Sequence, residues 1–200
     1  MSQTVSYYLS LASPWTYLGS QVFTEMVKEK AVEVKVRPID LGAIFPKTGG
    51  LPLQKRAPAR QAYRLVELDR WQRVRKLPLN LHPRHFPVPH EKAATLVIAA
   101  EQSGGDPLRL AHALLRAVWA DDRNIDDTDT LRQIARETGE DAEALLSRAA
   151  DEDITRLYQR YTAEALATGV FGAPTYVIDD ELFWGQDRLD FVRERLDELT

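Results

Sequence analysis

Ser13-Pro14-Trp15-Thr16 closes a β-like stretch and opens a helical one. The start of a helix presents unpaired N–H groups and a partial positive charge, which stabilise an anion such as a thiolate. The Ser13 hydroxyl can add a hydrogen bond to that anion. On this motif alone a simpler explanation is commoner: Ser13 caps the helix and Pro14 takes its first position. A second candidate is Val170 to Val177 (VFGAPTYV), where a small residue precedes a proline that opens a strand. A cis bond at Ala173-Pro174 would leave the Ala173 backbone groups free to pair with an extended peptide ligand. An ordinary trans proline at a strand start is the alternative. The third is Trp184-Gly185-Gln186-Asp187-Arg188. Asp187 has the form of a helix N-cap. It could also take an ammonium while the helix start binds a carboxylate, and a γ-glutamyl group carries both.

The elements that must position these residues sit at the two ends of the chain. Val5 to Leu11 (VSYYLSL) is rich in β-formers and reads as a strand. Trp15, Leu18, Val22 and Met26 then recur on one face of a helix. Val32 to Pro38 (VEVKVRP) alternates and reads as a second strand, giving β-α-β. Lys47 to Pro58 reads as a Gly- and Pro-rich loop. Helical segments follow at roughly Ala59–Arg75, Glu91–Gln102, Pro107–Ala120, Thr128–Glu137, Ala142–Ala149 and Ile154–Ala167. The β pattern returns at Pro174 to Ile178, turns at Asp179-Asp180 and continues through Glu181 to Trp184. A last helix starts near Asp187, with Leu189, Val192, Leu196 and Leu199 as its buried stripe.

Bulk composition narrows the classes. A chain of 200 residues with 44% hydrophobic and 28% charged residues suits a folded globular protein rather than a disordered one. A net charge of −4 makes it a poor general nucleic-acid binder. There is no cysteine, so disulfides, thiolate metal sites and a cysteine nucleophile of the protein's own are excluded. No secretory signal is visible at Met1 to Ser6, and the longest apolar run, near Ala93 to Ala100, is too short to span a bilayer. A cytoplasmic location is expected, with neither nucleic acid nor membrane as partner.

Together and in this order the three motifs are far more specific than any one. The chain resembles the 2-hydroxychromene-2-carboxylate isomerase family, relatives of the kappa-class glutathione transferases. The opening YYLSLASPWTYLGS and the ending VFGAPTYVIDDELFWGQDRLDFVRERL carry most of the likeness. PIDLGAIF, TGGLP and LPLNLHPRHFP add to it. The resemblance implies an α/β, thioredoxin-like fold with a large all-helical insertion. The thioredoxin-like part would be 1–45 and 168–200, and the insertion 46–167. Where thioredoxin-fold oxidoreductases carry Cys-x-x-Cys, this chain has Ser13 to Thr16, so the thiol must come from outside, as glutathione.

By that resemblance Ser13 holds the glutathione sulfur as thiolate and is the catalytic residue. Ala173 and Pro174 bind the cysteinyl backbone. Trp184, Gly185, Gln186 and Asp187 line the γ-glutamyl site, and Gly50, Leu51 and Pro52 close over the other end of the peptide. Lys47 and His85 are the expected contacts to a small aromatic substrate, and no metal is expected. The implied chemistry is reversible addition of the thiolate to a conjugated carbon, ring opening, bond rotation and expulsion of the thiol. A homodimer is implied by the same resemblance. Pro89 stands where relatives often carry a polar residue, and the family's substrate lysine has Lys47 as its nearest counterpart here, with Phe45 the alternative occupant of its place. A kappa-like transferase is one alternative, and a non-catalytic thiol-peptide binding module is another of a different class. His82, His85 and His90 share a proline-rich loop that fits a substrate cavity better than a metal site. The basic stretch from Lys55 to Arg75 (Arg56, Arg60, Arg64, Arg70, Arg73) reads mostly as a solvated helix face, a minority of which could draw in a carboxylate. Trp71 and Trp119 are expected in the core.

Overall fold

Four short strands at the two ends of the chain meet in one sheet. A computed structural model describes residues 4–199. Strand β1 (Thr4–Leu9) pairs in parallel with β2 (Glu33–Pro38), from Thr4 opposite Glu33 to Leu9 opposite Pro38. Its other edge pairs antiparallel with β3 (Thr175–Ile178), which pairs antiparallel with β4 (Glu181–Trp184). The order is β2-β1-β3-β4. Asp179 and Asp180 make the β3–β4 turn with φ of 47° and 67°, the left-handed pair that a tight hairpin requires.

Helix α1 (Pro14–Glu29) crosses between the parallel strands and buries Tyr17, Leu18, Phe23, Met26 and Val27. The Phe23 ring sits 4.6 Å from that of Tyr7 and 4.7 Å from that of Tyr176, and those two rings stack at 5.1 Å. Such pairs are worth about 0.5–1.5 kcal/mol each beyond the area they bury. This cluster locks α1, β1 and β3 together. Burial raises both tyrosine hydroxyls well above the usual range.

Between the halves of the sheet run α2 (Leu41–Thr48), α3 (Pro58–Arg75), α4 (Glu91–Gln102), α5 (Pro107–Trp119), α6 (Thr128–Glu137), α7 (Ala142–Ala149) and α8 (Glu152–Ala167). The apolar run Ala93 to Ala100 is the buried heart of α4, which packs against α5, α7, α8 and β2. Asp106 caps α5 through the Arg109 N–H, followed by Pro107 at the first position. Helix α9 (Leu189–Glu198) closes the chain. Among the described residues no helix is long and apolar enough to cross a membrane.

The structure corrects several boundaries. β1 ends at Leu9, because the chain turns there and the Ser13 N–H donates to the Ser10 carbonyl at 3.0 Å. Helix α2 was not expected. Asp40 caps it by accepting from the Gly42 N–H at 2.7 Å, and Gly42 and Pro46 obscure its period in the sequence. Lys47 therefore lies in the last turn of a helix rather than in a loop. Leu199 is 37% exposed because α9 stops one residue earlier, which leaves Leu189, Val192 and Leu196 as the buried stripe. Trp119 is fully buried, whereas Trp71 is only partly so, lying beneath the Arg75 guanidinium.

Candidate active site

Ser13 and Ala173 lie 160 residues apart in sequence and touch in the fold. Ser13 is the N-cap of α1: its Oγ accepts from the Thr16 N–H at 3.2 Å. The same hydroxyl donates to the Ala173 carbonyl at 3.4 Å. That bond is long by hydrogen-bond standards and easily exchanged. Ser13 is thus a helix cap whose hydroxyl also reaches the Ala173 backbone. The Ala173-Pro174 bond is cis. The Ala173 N–H donates to no group among the described residues, so a free donor and a weakly engaged acceptor sit side by side next to Ser13. An extended peptide satisfies such a pair of groups in the manner of an added strand. Thr16, at the second of the two positions where thioredoxin-fold oxidoreductases carry cysteine, is fully buried and its hydroxyl has no partner.

The third motif is anchored to the first two. The Gly185 N–H donates to the Pro174 carbonyl at 2.9 Å, tying the end of β4 to the cis peptide. Gly185 has φ +110°, and a Cβ there would meet the Asp187 carboxylate at 2.4 Å, so only glycine lets the acid fold back over the turn. Gln186 then enters the interior, 2% exposed, against α1 at Gly19, where a Cβ would meet the Gln186 Cβ at 2.8 Å. Asp187 stays exposed and pairs with Arg188 at 2.8 Å. It lies within a short 3-10 turn, Gln186–Arg188, and caps neither that turn nor α9, so the N-cap reading fails. With no capping duty it remains an acid at the surface of the site. Trp184 is 52% exposed and packs edge-on to Phe171 with ring centroids 4.7 Å apart.

Arg75 was not singled out by the sequence. From the last turn of α3 its Nε donates to Gln186 Oε1 at 2.9 Å and its Nη2 to the Gln186 carbonyl at 2.7 Å. The partners are 111 residues apart, and no local pattern signals the pair. Nor does one signal the contact between Ser10 Oγ and His90 Nε2 at 3.3 Å, at the carboxyl end of β1. Burial pulls the His90 imidazole below its ordinary value, with Asp40 opposing. His90 is thus separated from exposed His82 and partly buried His85.

The remaining predicted residues are spread more widely. The Phe45 ring packs on Gly50, and the Leu51 carbonyl accepts from Arg56 Nε at 2.8 Å. Leu51, Pro52 and Lys47 are exposed. His85 lies in the loop before Phe86, whose ring packs 4.8 Å from that of Trp119. A groove of about 550 Å³ between β4 and α9, lined in part by Trp184, Arg188 and Phe191, includes neither Ser13 nor Ala173.

A thioredoxin-type sheet, a capped serine at the start of α1 and a cis-proline facing it define the class, and the comparisons agree. Residues 4–197 match the model of the DSBA-like thioredoxin domain, and the chain belongs to that family. It is 27% identical over 197 residues to a 2-hydroxychromene-2-carboxylate isomerase of Sphingobium xenophagum, covering 98% of this chain and 99% of that protein. It is 24% identical to glutathione S-transferase kappa 1 of Rattus norvegicus, covering 96% and 89%. A solved 2-hydroxychromene-2-carboxylate isomerase superposes with a TM-score of 0.81 at 23% identity, over 98% of this chain and 95% of that one. The fold is thus the expected α/β, thioredoxin-like one carrying a helical block.

Proposed function

We propose that this protein is a glutathione-dependent isomerase acting on 2-hydroxychromene-2-carboxylate or a similar aromatic breakdown product. One observation carries the reading: in a chain without cysteine, the Ser13 hydroxyl and the Ala173 backbone converge beside a cis-proline. The isomerase relative supports the reaction class, and the kappa transferase relative supports glutathione as the thiol. When bound, glutathione supplies a thiolate that adds reversibly to a conjugated carbon of the substrate. Ser13 turns its hydroxyl proton from the Ala173 carbonyl toward the sulfur, while its Oγ goes on accepting from the Thr16 N–H. The start of α1 adds its positive end. The freed Ala173 carbonyl accepts from the cysteinyl N–H, and the Ala173 N–H donates to the peptide. Asp187 takes the γ-glutamyl ammonium, beside Trp184, Gly185 and Gln186. Gly50 to Pro52 cover the far end of the peptide, and Lys47 and His85 face the second reactant. The ultraviolet change of the chromene carboxylate, followed with and without glutathione, tests the reading. Turnover that needs no glutathione, or none in its presence, overturns it.

Asp187→Ala should weaken glutathione binding by about 1–3 kcal/mol, the usual worth of a charged hydrogen bond. Its stability should change little, because the pair lost, with exposed Arg188, is a surface one. Calorimetry and a thermal melt on the same sample separate the two effects. Unchanged affinity removes Asp187 from the γ-glutamyl site.

A further inference from the structure

Helix α3 joins two parts of the proposed site. Arg75 at its C-terminal end holds Gln186, while Arg56, just before its start, holds the Leu51 carbonyl. Arg64 lies between them. It is partly buried, and among the described residues it makes no hydrogen bond and no ion pair. Its guanidinium lies over two aromatic faces, 5.5 Å from the Phe86 ring centroid and 5.6 Å from that of Trp119. Ring faces satisfy the flat side of a guanidinium. They do nothing for its five N–H donors, which lie in the plane. The Trp119 Nε1–H, in one of those rings, is buried without an acceptor.

The neighbouring charges sharpen the mismatch. Arg60 stands one turn before Arg64 and is exposed, with no acidic partner among the described residues. The nearest acid on α3, Glu67, is taken by Arg70. Burial and the charge of Arg56 together bring the Arg64 guanidinium down to about 10, so it is still a cation at neutral pH. The Arg64 nitrogens keep contact with solvent, so their unpaired donors are open to a ligand, and a half-enclosed cation near others of its own sign favours an anion beside it. A planar carboxylate matches the fork geometry of arginine. The partly exposed Phe86 ring beside the guanidinium suits a flat, ring-bearing acid.

We infer that Arg64 is the carboxylate-binding residue of this site, receiving an aromatic acid beside the partly exposed Phe86, with Arg56 and Arg60 drawing the anion in. The inference deepens the functional reading above and rests on it for which aromatic acid is bound. The glycine carboxylate of glutathione shares the same chemistry, and the test separates the two sources.

The test measures binding, so it is independent of turnover. Calorimetry compares 2-hydroxybenzoate with its neutral amide, and glutathione with glutathione esterified at the glycine carboxyl, on wild type, Arg64→Gln and Arg64→Lys. The wild type should prefer 2-hydroxybenzoate over the amide by about tenfold or more, the usual advantage of a charged hydrogen bond. Arg64→Gln should abolish that preference while leaving the amide's affinity and glutathione's unchanged, and Arg64→Lys should restore part of it. The melting temperature of Arg64→Gln should hold or rise, since an unpaired cation is removed, whereas a purely structural arginine would lower it. If Arg64→Gln instead erases the difference between glutathione and its ester, the site is a carboxylate site for glutathione, and the assignment to an aromatic acid is wrong. If the wild type prefers neither carboxylate, or keeps its preference without Arg64, the inference is overturned. Absent chromene turnover with an intact carboxylate preference would sink the functional reading and leave this one standing.

Discussion

Ser13→Ala should lower turnover by about a hundredfold, in the range seen when one preorganised donor to a developing or resident anion is removed. Two consequences separate this from the loss of a cap. The thiol of bound glutathione should titrate at higher pH in the variant, because the anion loses a donor and keeps only the helix start. The sign follows directly: a raised thiol pKa leaves less thiolate at a given pH. The rising limb of the rate profile should therefore move to higher pH, and the gap to wild type should narrow as the solution becomes more alkaline. Stability should fall by only about 0.5–2 kcal/mol, the cost of losing a serine cap. Ser13→Cys should place a competing acidic thiol at the same helix start, whose thiolate attacks added oxidised glutathione to form a mixed disulfide and release one reduced glutathione. Thiolate absorbance titrations, initial rates and melts on the three proteins decide the matter. If the bound thiol titrates identically in wild type and Ser13→Ala while only stability drops, Ser13 is a cap and the catalytic assignment fails.

What the sequence disclosed depended on how local the signal was. The strands, the turn at Asp179-Asp180 and the starts of α1 and α5 are written in alternation, paired aspartates, and Ser-Pro or Asp-Pro caps, and each is present, with strand ends shifted by one or two residues. The cis bond at Ala173-Pro174 was one of two open alternatives, and the structure selects it. α2 escaped notice because Gly42 and Pro46 interrupt a helix of only 8 residues. Asp187 was misplaced as a cap because the chain makes a 3-10 turn before α9, and a short acidic residue near a helix start looks the same in either case. Ser13 could not be separated from an ordinary cap until Ala173 was seen beside it. That adjacency is a property of the β1–β3 pairing and not of either segment. Arg64 belongs with these: the sequence shows it as one more cation on a basic helix, and only the fold shows it over two rings with nothing to bind.

Arg75→Met is expected to be the most damaging single change outside the apolar core, costing about 2–4 kcal/mol of stability and also weakening glutathione. Gln186 is 2% exposed, so its Oε1 and its backbone carbonyl cannot turn to water when the guanidinium is gone. Each buried acceptor left unpaired costs about 1–3 kcal/mol. The damage should reach the site because Gln186 is the residue between Gly185, which is tied to Pro174, and Asp187. A loosened Gln186 lets Asp187 leave the position assigned to it in the proposed γ-glutamyl site. Arg75→Lys should recover little, since a single ammonium on a flexible stem cannot reach two oxygens as a planar fork does. Adding Gln186→Met to Arg75→Met should restore part of the stability, because one of the two orphaned acceptors is then gone, and the cycle should show coupling of about 1 kcal/mol or more. Affinity should not return with it, for the turn would still lack its anchor. Denaturant melts and glutathione calorimetry on the four proteins of the cycle read both quantities. Asp187→Ala serves as the contrast: it should lower affinity alone, whereas Arg75→Met lowers both. A variant at Arg75 that melts like wild type and binds glutathione as tightly would show that α3 does not hold the γ-glutamyl turn, and Gln186 would need another explanation for its burial.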